Sequence, residues 1–469
     1  MQKSLLFKIA AIIALIVALL VPQSMIEYQI YQRSARQADV LRDVAASSAG
    51  AQQVTGPVLV VPWQECEVVK EWDYEKKKYV DSCRYQAREL RFFPDDLAIE
   101  ASADVEARRR GIYRAQLYGM RAKVKATYTL PAGLGIEVDR ARVTLGRPVL
   151  ALGISDVRGL RENPVLRGAG EDRRFQPGPV SKALGAGIHA PLDPLDIAQA
   201  HRFEVAFDLD LQGMESLRVV PLGGTTRMTL SSPWPHPSFG GRFLPRTHAI
   251  AEDGFKAEWK VSSLATAARE QLRPPVQKAE GSPGAPAIGH PAGSPHLPGV
   301  DAFAVTFIEP VNVYLLAERA VKYGLLFVVL TFGAFFVFEL LKGLAIHPVQ
   351  YGLVGLALAI FFQLLISLSE HLPFWQAYVL STAACIGLIG FYLAHVLKRA
   401  VRGVAFGGLL SLLYGMVYVV LRSEDSALLM GSCVLFGALA LAMVLTRNID
   451  WYRVGAKPSA PSTASASAT

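Results

Sequence analysis

Residues 323–341, YGLLFVVLTFGAFFVFELL, decide the architecture. Crossing the hydrocarbon core of a bilayer takes about 20 consecutive apolar residues in a helix. This run meets that length, and its one ionisable side chain, Glu339, falls in the last turn. Four further runs follow at 351–369, 374–394, 401–421 and 426–446, each almost free of charge. Short polar loops join them, which predicts antiparallel neighbours in a five-helix bundle. Another apolar run, 5–26, opens the chain. It is interrupted by Lys8, close enough to the end to snorkel toward headgroups. Its uninterrupted part, 9–21, is short, so a cleaved signal peptide is the rival reading. Pro22-Gln23-Ser24-Met25-Ile26 offers no small-x-small cleavage site, which favours an uncleaved anchor.

Composition divides the remainder. The 469 residues carry a net charge of +8 and are 51% hydrophobic but only 19% charged, against about 25% in an average soluble protein. The charges concentrate between residues 27 and 320. Basic residues mostly flank the apolar runs, and no basic run is interleaved with aromatics as single-strand binding requires. Nucleic acid is therefore not expected as a partner; the bilayer is. The dense cluster Arg108-Arg109-Arg110 reads as a solvated strand end or turn. Lys and Arg in short loops set orientation. With residues 1–3 cytoplasmic, the loops 342–350 and 395–403 and the stretch after 446, which hold most of the loop Lys and Arg, also fall inside. The acidic loops at Glu370 and at Glu424-Asp425 fall outside. Both termini are then expected in the cytoplasm and the large charged region in the periplasm.

That large region reads as β-rich. Residues 27–55 lack proline and form a predicted helical stalk with Gly50 as a stop. From Gly56 the pattern changes to GPVLVVP, an apolar run bounded by proline. Stretches at 84–93, 97–107, 111–130, 141–154, 201–211, 226–231, 255–261 and 302–308 follow, with Gly and Pro between them. This predicts an antiparallel, sandwich-like domain over 56–321, large enough to bury a core. Residues 274–299 are rich in Pro, Gly, Ala and Ser and read as a disordered loop within it. The tail, 447–469, reads as cytoplasmic and largely disordered. Cys66 and Cys83 flank a charged stretch and are a candidate disulfide across two strands joined by an exposed tip. Two free thiols are the alternative. Cys385 and Cys433 lie in apolar segments as small packed side chains. Gly387, Gly390 and the pair Gly407-Gly408 permit close helix packing.

Catalytic spacing is scarce. There is no phosphate-binding glycine loop, no H-E-x-x-H, no C-x-x-C and no G-x-S-x-G. Neither a catalytic residue, a metal ligand nor a cofactor is therefore assigned, and the chain is not expected to be an enzyme. Four local clusters remain; 318–323 and 446–452 read as interfacial anchors, which leaves two candidates. One is a rigid aromatic–proline loop with Trp234, His236, Phe239 and Arg242, which reads either as a partner contact or as a structural corner. The other is Glu370-His371 at the outer end of a membrane helix. Such a pair could relay protons or bind a cation, or serve as a solvated interface cap. Apart from Gln363, the spans hold little polarity near their middles, which disfavours a transport pathway.

The sequence resembles the CreD family of bacterial inner-membrane proteins. The matching stretches include GPVLVVP (56–62), RRGIYRAQLYG (109–119), VTLGRPVLALGISDVRGL (143–160), GIHAPL (187–192) and MTLSSPWPHPSFGGRFLP (228–245). Others are AERAVKYGLLFVVLTFGAFFVFE (317–339), HPVQYGLVG (347–355), LSEH (368–371), DSALL (425–429) and TRNIDWY (446–452). The resemblance implies a Gram-negative inner-membrane location and regulation by the Cre two-component system. It also implies a link to envelope integrity and colicin tolerance. It brings no catalytic residues. The expected role is a non-enzymatic scaffold or binding protein whose periplasmic domain meets an envelope protein or lipid partner. A membrane enzyme or lipid-handling protein, with Glu370, His371, His236 and Arg242 at a periplasmic-face site, is the alternative; a transporter is a further one.

Overall fold

The computed structural model describes residues 2–73, 78–136, 142–178, 181–273, 300–307, 313–342, 346–396, 400–422 and 427–447. The predicted disordered segments 274–299 and 448–469 lie outside the described residues. The chain divides into two compact units, residues 39–310 and a helical unit of 1–38 with 311–469. Helix α1 (Gln2–Ser47) runs through the boundary between them.

In the first unit α1 ends at Ser47 and β1 (Gln52–Asp73) begins shortly after Gly50. The helical stretch is thus shorter than the predicted stalk to residue 55, and the β domain starts before Gly56. β2 (Lys78–Phe92), β3 (Asp96–Arg110) and β4 (Tyr113–Leu130) follow, then β5 (Val143–Leu145) and β6 (Val149–Ile154). Next come the short β7 (Val165–Leu166), β8 (Arg173–Arg174), β9 (Gln176–Pro177) and β10 (Gly187–Pro191). β11 (His201–Met214), β12 (Ser216–Val220), β13 (Thr225–Ser232), β14 (Pro237–Gly241), β15 (Thr247–Ala251) and β16 (Gly254–Ser262) lead to the short helix α2 (Ala268–Gln271) and then β17 (Phe303–Phe307).

Two sheets face each other. One follows the order β14-β17-β12-β1-β6-β10-β9, with β2 and β5 also on β1; the other is β11-β4-β3-β13-β16-β15. β4 shows why a strand with this pattern must sit in such a layer. Met120, Ala122, Val124, Ala126, Tyr128 and Leu130 are buried, while Arg121, Lys123 and Lys125 between them are exposed. A period of two puts one face on the core and the other in solvent. β1 differs because both its faces are covered. Leu59 and Val61 join the core between the sheets. Val58 and Val60 pack with Ala268 and Leu272 around α2. That double burial accounts for the unbroken apolar run GPVLVVP.

The sandwich is not wholly antiparallel, as the sequence suggested. β1 pairs in parallel with β12, and β13 pairs in parallel with β3. Alternation of side chains fixes which face of a strand is buried but not which strand lies beside it. The expected loop at 234–240 is also half strand, since β14 pairs with β17 from Pro237↔Phe307 to Gly241↔Phe303.

In the helical unit α3 (Val313–Lys322) and α4 (Gly324–Lys342) meet at a 45° bend. α5 (Pro348–Ser369), α6 (Phe374–Val396), α7 (Ala400–Arg422) and α8 (Ala427–Thr446) follow within a few residues of the expected bounds. Residues 313–321, expected at the end of the β domain, instead form α3 and group with the helices. The reason is its apolar face: Tyr314, Ala317, Ala320 and Val321 recur at helical spacing and are buried. Among the described residues four helices are long and apolar enough to cross a membrane. The bent pair makes a fifth, and 429–444 is a shorter apolar helix.

Each joint has a local cause. Gln23 of α1 donates its amide to the Val321 carbonyl at 2.7 Å, satisfying a group at the α3–α4 bend. A Cβ on Gly324 would meet the same amide at 2.7 Å, so glycine lets the two helices approach. α5 starts with a capping box, in which His347 accepts from Val349 N–H while the Gln350 side chain accepts from His347 N–H. The tightest glycine contact between α6 and α7 falls at Gly403 against Ala394, not at Gly387 or Gly408, whose surroundings are open.

Candidate functional site

α1 and α5 share one polar cavity, of about 350 Å³. α1 contributes Gln29, Gln32, Arg33 and Arg36; α5 contributes Gln363, Ile366, Ser367 and Glu370. Both sets follow the spacing i, i+3, i+4, i+7, which places four side chains on one face of a helix. Two such faces opposed to each other make a cleft two turns long.

The two helices run parallel. A Cβ on Gly352 would touch Leu15, one on Gly355 would meet Leu19 at 2.3 Å, and Arg33 reaches Glu370 further along. The small residues on α5 therefore admit the leucines of α1 and bring the polar ends into register. Arg33 Nε lies 3.4 Å from Glu370 Oε1, and the Tyr314 hydroxyl donates to the same oxygen at 3.4 Å. Glu370 is only 10% exposed, as expected for a charge held by a partner. The neighbouring His371 is exposed, and among the described residues it bonds through its backbone N–H, to the Leu368 carbonyl. The pair proposed from sequence thus divides: Glu370 lines the cavity, whereas His371 lies outside its lining.

The second cluster lies in the sandwich. The Trp234 indole N–H donates to the His236 carbonyl at 3.1 Å. The Phe239 ring packs at 5.5–5.7 Å from His248, Phe255 and Trp259. Arg242 is largely exposed and sits 3.4 Å from the buried Asp301. Trp234 and Phe239 thus pack against the core, while the His236 side chain and the Arg242 guanidinium face solvent. Cys66 and Cys83 are joined in a disulfide across the β1–β2 hairpin. Beyond them the hairpin is an exposed arm with Val68 and Trp72 on β1 and Tyr79 on β2.

One feature escaped the sequence reading. Lys8 does not simply snorkel; its ammonium is paired with Glu339 near the opposite end of the helical unit from Glu370. Tyr351 donates its hydroxyl to the other Glu339 oxygen at 2.8 Å. The available signal was the presence of one lone cation and one lone anion in two apolar runs, each costly in lipid unless paired.

Apolar helices with a water-exposed β sandwich encoded between the first and the rest define a multi-pass membrane protein. The sequence profile described as "Inner membrane protein CreD" matches residues 4–452. The chain is also 36% identical over 455 residues to the inner membrane protein CreD of Escherichia coli (strain K12), covering 96% of this chain and 95% of that one. The chain belongs to the CreD family of inner-membrane proteins. Among solved structures it overlaps an M1 zinc metallopeptidase from Deinococcus radiodurans at a TM-score of 0.19 with 8% identity. That match covers 36% of this chain and 38% of that one. A two-domain M1 zinc metallopeptidase bound to L-arginine gives 0.18 with 9% identity over 36% and 39%. Overlaps of that size carry no argument about fold or chemistry.

Proposed function

We propose that this protein is a non-enzymatic, membrane-anchored binding or scaffold protein that contributes to envelope integrity, including the envelope stress response and colicin tolerance. Six spans hold it in the inner membrane, with α1 as an uncleaved anchor, both termini in the cytoplasm and the sandwich in the periplasm. The observation that carries this reading is the Cys66–Cys83 disulfide, since such bonds persist in oxidising compartments. The bias of Lys and Arg among the short loops supports the same orientation. A large folded domain with an exposed aromatic arm and solvent-facing His236 and Arg242 suits the capture of an envelope partner.

The test is a membrane-impermeant thiol reagent applied to intact spheroplasts of a variant lacking Cys385 and Cys433. Labelling of Cys66 and Cys83 only after external reduction is expected. Labelling that requires lysis of the inner membrane would put the sandwich in the cytoplasm and overturn the orientation. A second reading, lipid handling at the periplasmic face, is favoured by the α1–α5 cavity, whose polar lining lies at the end of the apolar helix α5.

A further inference from the structure

We propose that the α1–α5 cavity binds the phosphate of a phospholipid headgroup, with Arg33 and Arg36 as its cationic contacts and Glu370 as a built-in competitor for Arg33. This inference rests on the lipid-handling reading and names its ligand. Three observations support it. The lining side chains sum to one positive charge, two arginines against one carboxylate. Glu370 is already engaged by Arg33 and Tyr314, whereas Arg36 forms no ion pair with a described residue. Arginine presents several N–H donors in a fork that matches phosphate oxygens. The volume falls at the low end of ligand pockets, about 300–1,000 Å³, which suits a headgroup whose acyl chains lie outside.

Gln363 gives the chemistry a direction. It sits on the apolar helix α5, two turns before Glu370, is exposed, and makes no hydrogen bond to a described residue. Seven residues of helix place it about 10 Å back from Glu370, toward the middle of α5. An amide that lines the cavity at that depth has no water-filled surroundings to satisfy it and calls for a partner. A phosphate or glycerol oxygen drawn down between Arg33 and Arg36 would accept from it, and Ser367 stands one turn nearer the surface as a second neutral donor. Ile366, which is buried, closes the cavity wall on the same face.

A phosphate could come from a lipid or from a soluble ester, and the assay separates them. The full chain in detergent is titrated with phosphatidylglycerol or with a diacylglycerol of the same tails, and retained lipid is counted by native mass spectrometry. Wild-type protein is expected to retain one phosphatidylglycerol and at least tenfold less diacylglycerol. Arg36→Gln should lower phosphatidylglycerol retention several-fold, and Arg33→Gln with Arg36→Gln at least tenfold. Arg121→Gln, which removes the same charge from the sandwich, should change nothing. Glu370→Gln frees Arg33 and should raise retention. If the Arg33–Glu370 contact were merely structural, that variant would lower it, and the proposal would fall. Equal retention of the two lipids, or retention indifferent to Arg36, would also overturn it. Displacement of the lipid by equimolar glycerol phosphate would keep the phosphate site but assign it to a soluble ester. A cytoplasmic sandwich would refute the orientation proposed above while leaving these retentions unchanged.

Discussion

Lys8 and Glu339, 331 positions apart in the chain, form an ion pair within the helical unit, and Tyr351 donates its hydroxyl to the same carboxylate. Glu339 also accepts the Ile346 N–H at 3.3 Å. One carboxylate therefore binds the first helix, the end of α4 and the start of α5 to one another. α1 is built into this unit as a packed member through Gln23, Leu15 and Leu19 as well.

Removing one partner of this pair should cost more than removing both. Lys8→Met leaves the Glu339 carboxylate buried with neutral donors only, and a broken buried pair typically loses about 3–5 kcal/mol. Lys8→Met with Glu339→Gln removes both charges and should recover part of that loss. Thermal unfolding of the detergent-solubilised chain reads this out. A double variant less stable than either single variant would show that the charges do not act as a pair.

The Cys66–Cys83 bond spans 17 positions of a hairpin arm that projects from the core. The chain-entropy account gives a loop of this size about 3 kcal/mol, but the constraint acts on the arm. Cys66→Ser with Cys83→Ser should accelerate backbone hydrogen exchange in 65–73 and 78–86. Exchange of Leu59, Val61 and the strands between the sheets should stay as it is. A uniform loss of protection across the sandwich would mean that the arm is integral to core stability.

Asp156 gives a pH-dependent test. Hydrogen bonding from Arg158 holds its carboxyl below the usual range, while partial burial opposes this. The same carboxylate accepts the Gly50 and Arg158 backbone N–H groups at 3.2 Å, where α1 gives way to β1. A depressed folded-state pKa stabilises fully above the unfolded value of about 3.9. The contribution is lost as the pH falls through the folded value. Asp156→Asn should therefore cost about 1 kcal/mol at pH 7, a figure limited by solvent screening of Arg158. Melting curves of the two proteins should converge under acid conditions. A constant difference across the whole range would rule out the charge as the cause.

Gly187 opens β10 within the GIHAPL stretch, paired with Gly153 of β6. A Cβ there would sit 2.1 Å from the Leu152 carbonyl oxygen, which belongs to the backbone and cannot swing away. Gly187→Ala should destabilise the sandwich by about 2 kcal/mol or more and increase exchange along β6 and β10. Gly178→Ala, with open space around its Cβ but a φ of +115°, should act through local strain alone and leave β6 protected.

Much of the fold was legible because its signals are local. Five apolar runs of membrane length predicted α4 to α8 within a few residues, and the stretch 111–130 was marked as a strand before any neighbour was known. The capping box of α5 is readable in His347-Pro348-Val349-Gln350. The short β7, β8 and β9 were not legible: two residues carry no periodicity.

The site was harder to read. Glu370 stood out as a charge at a helix end, but its partner Arg33 lies in what looked like an ordinary polar helix. Gln29, Gln32, Arg33 and Arg36 show a helical stripe only once α5 supplies the opposing one. Trp234 and Phe239 attract notice as aromatics in a proline-rich loop, yet hydrogen bonds and ring contacts absorb most of their surface into the sandwich.

The sequence by itself determined the two regimes of this chain, because hydrocarbon length and strand alternation are properties of consecutive residues. Only the tertiary structure decided that β1 lies parallel to β12, that Lys8 meets Glu339 and that Arg33 meets Glu370. Those pairings join residues more than 150 positions apart. They depend on which faces the whole set of elements can bury together, and no local pattern encodes that choice.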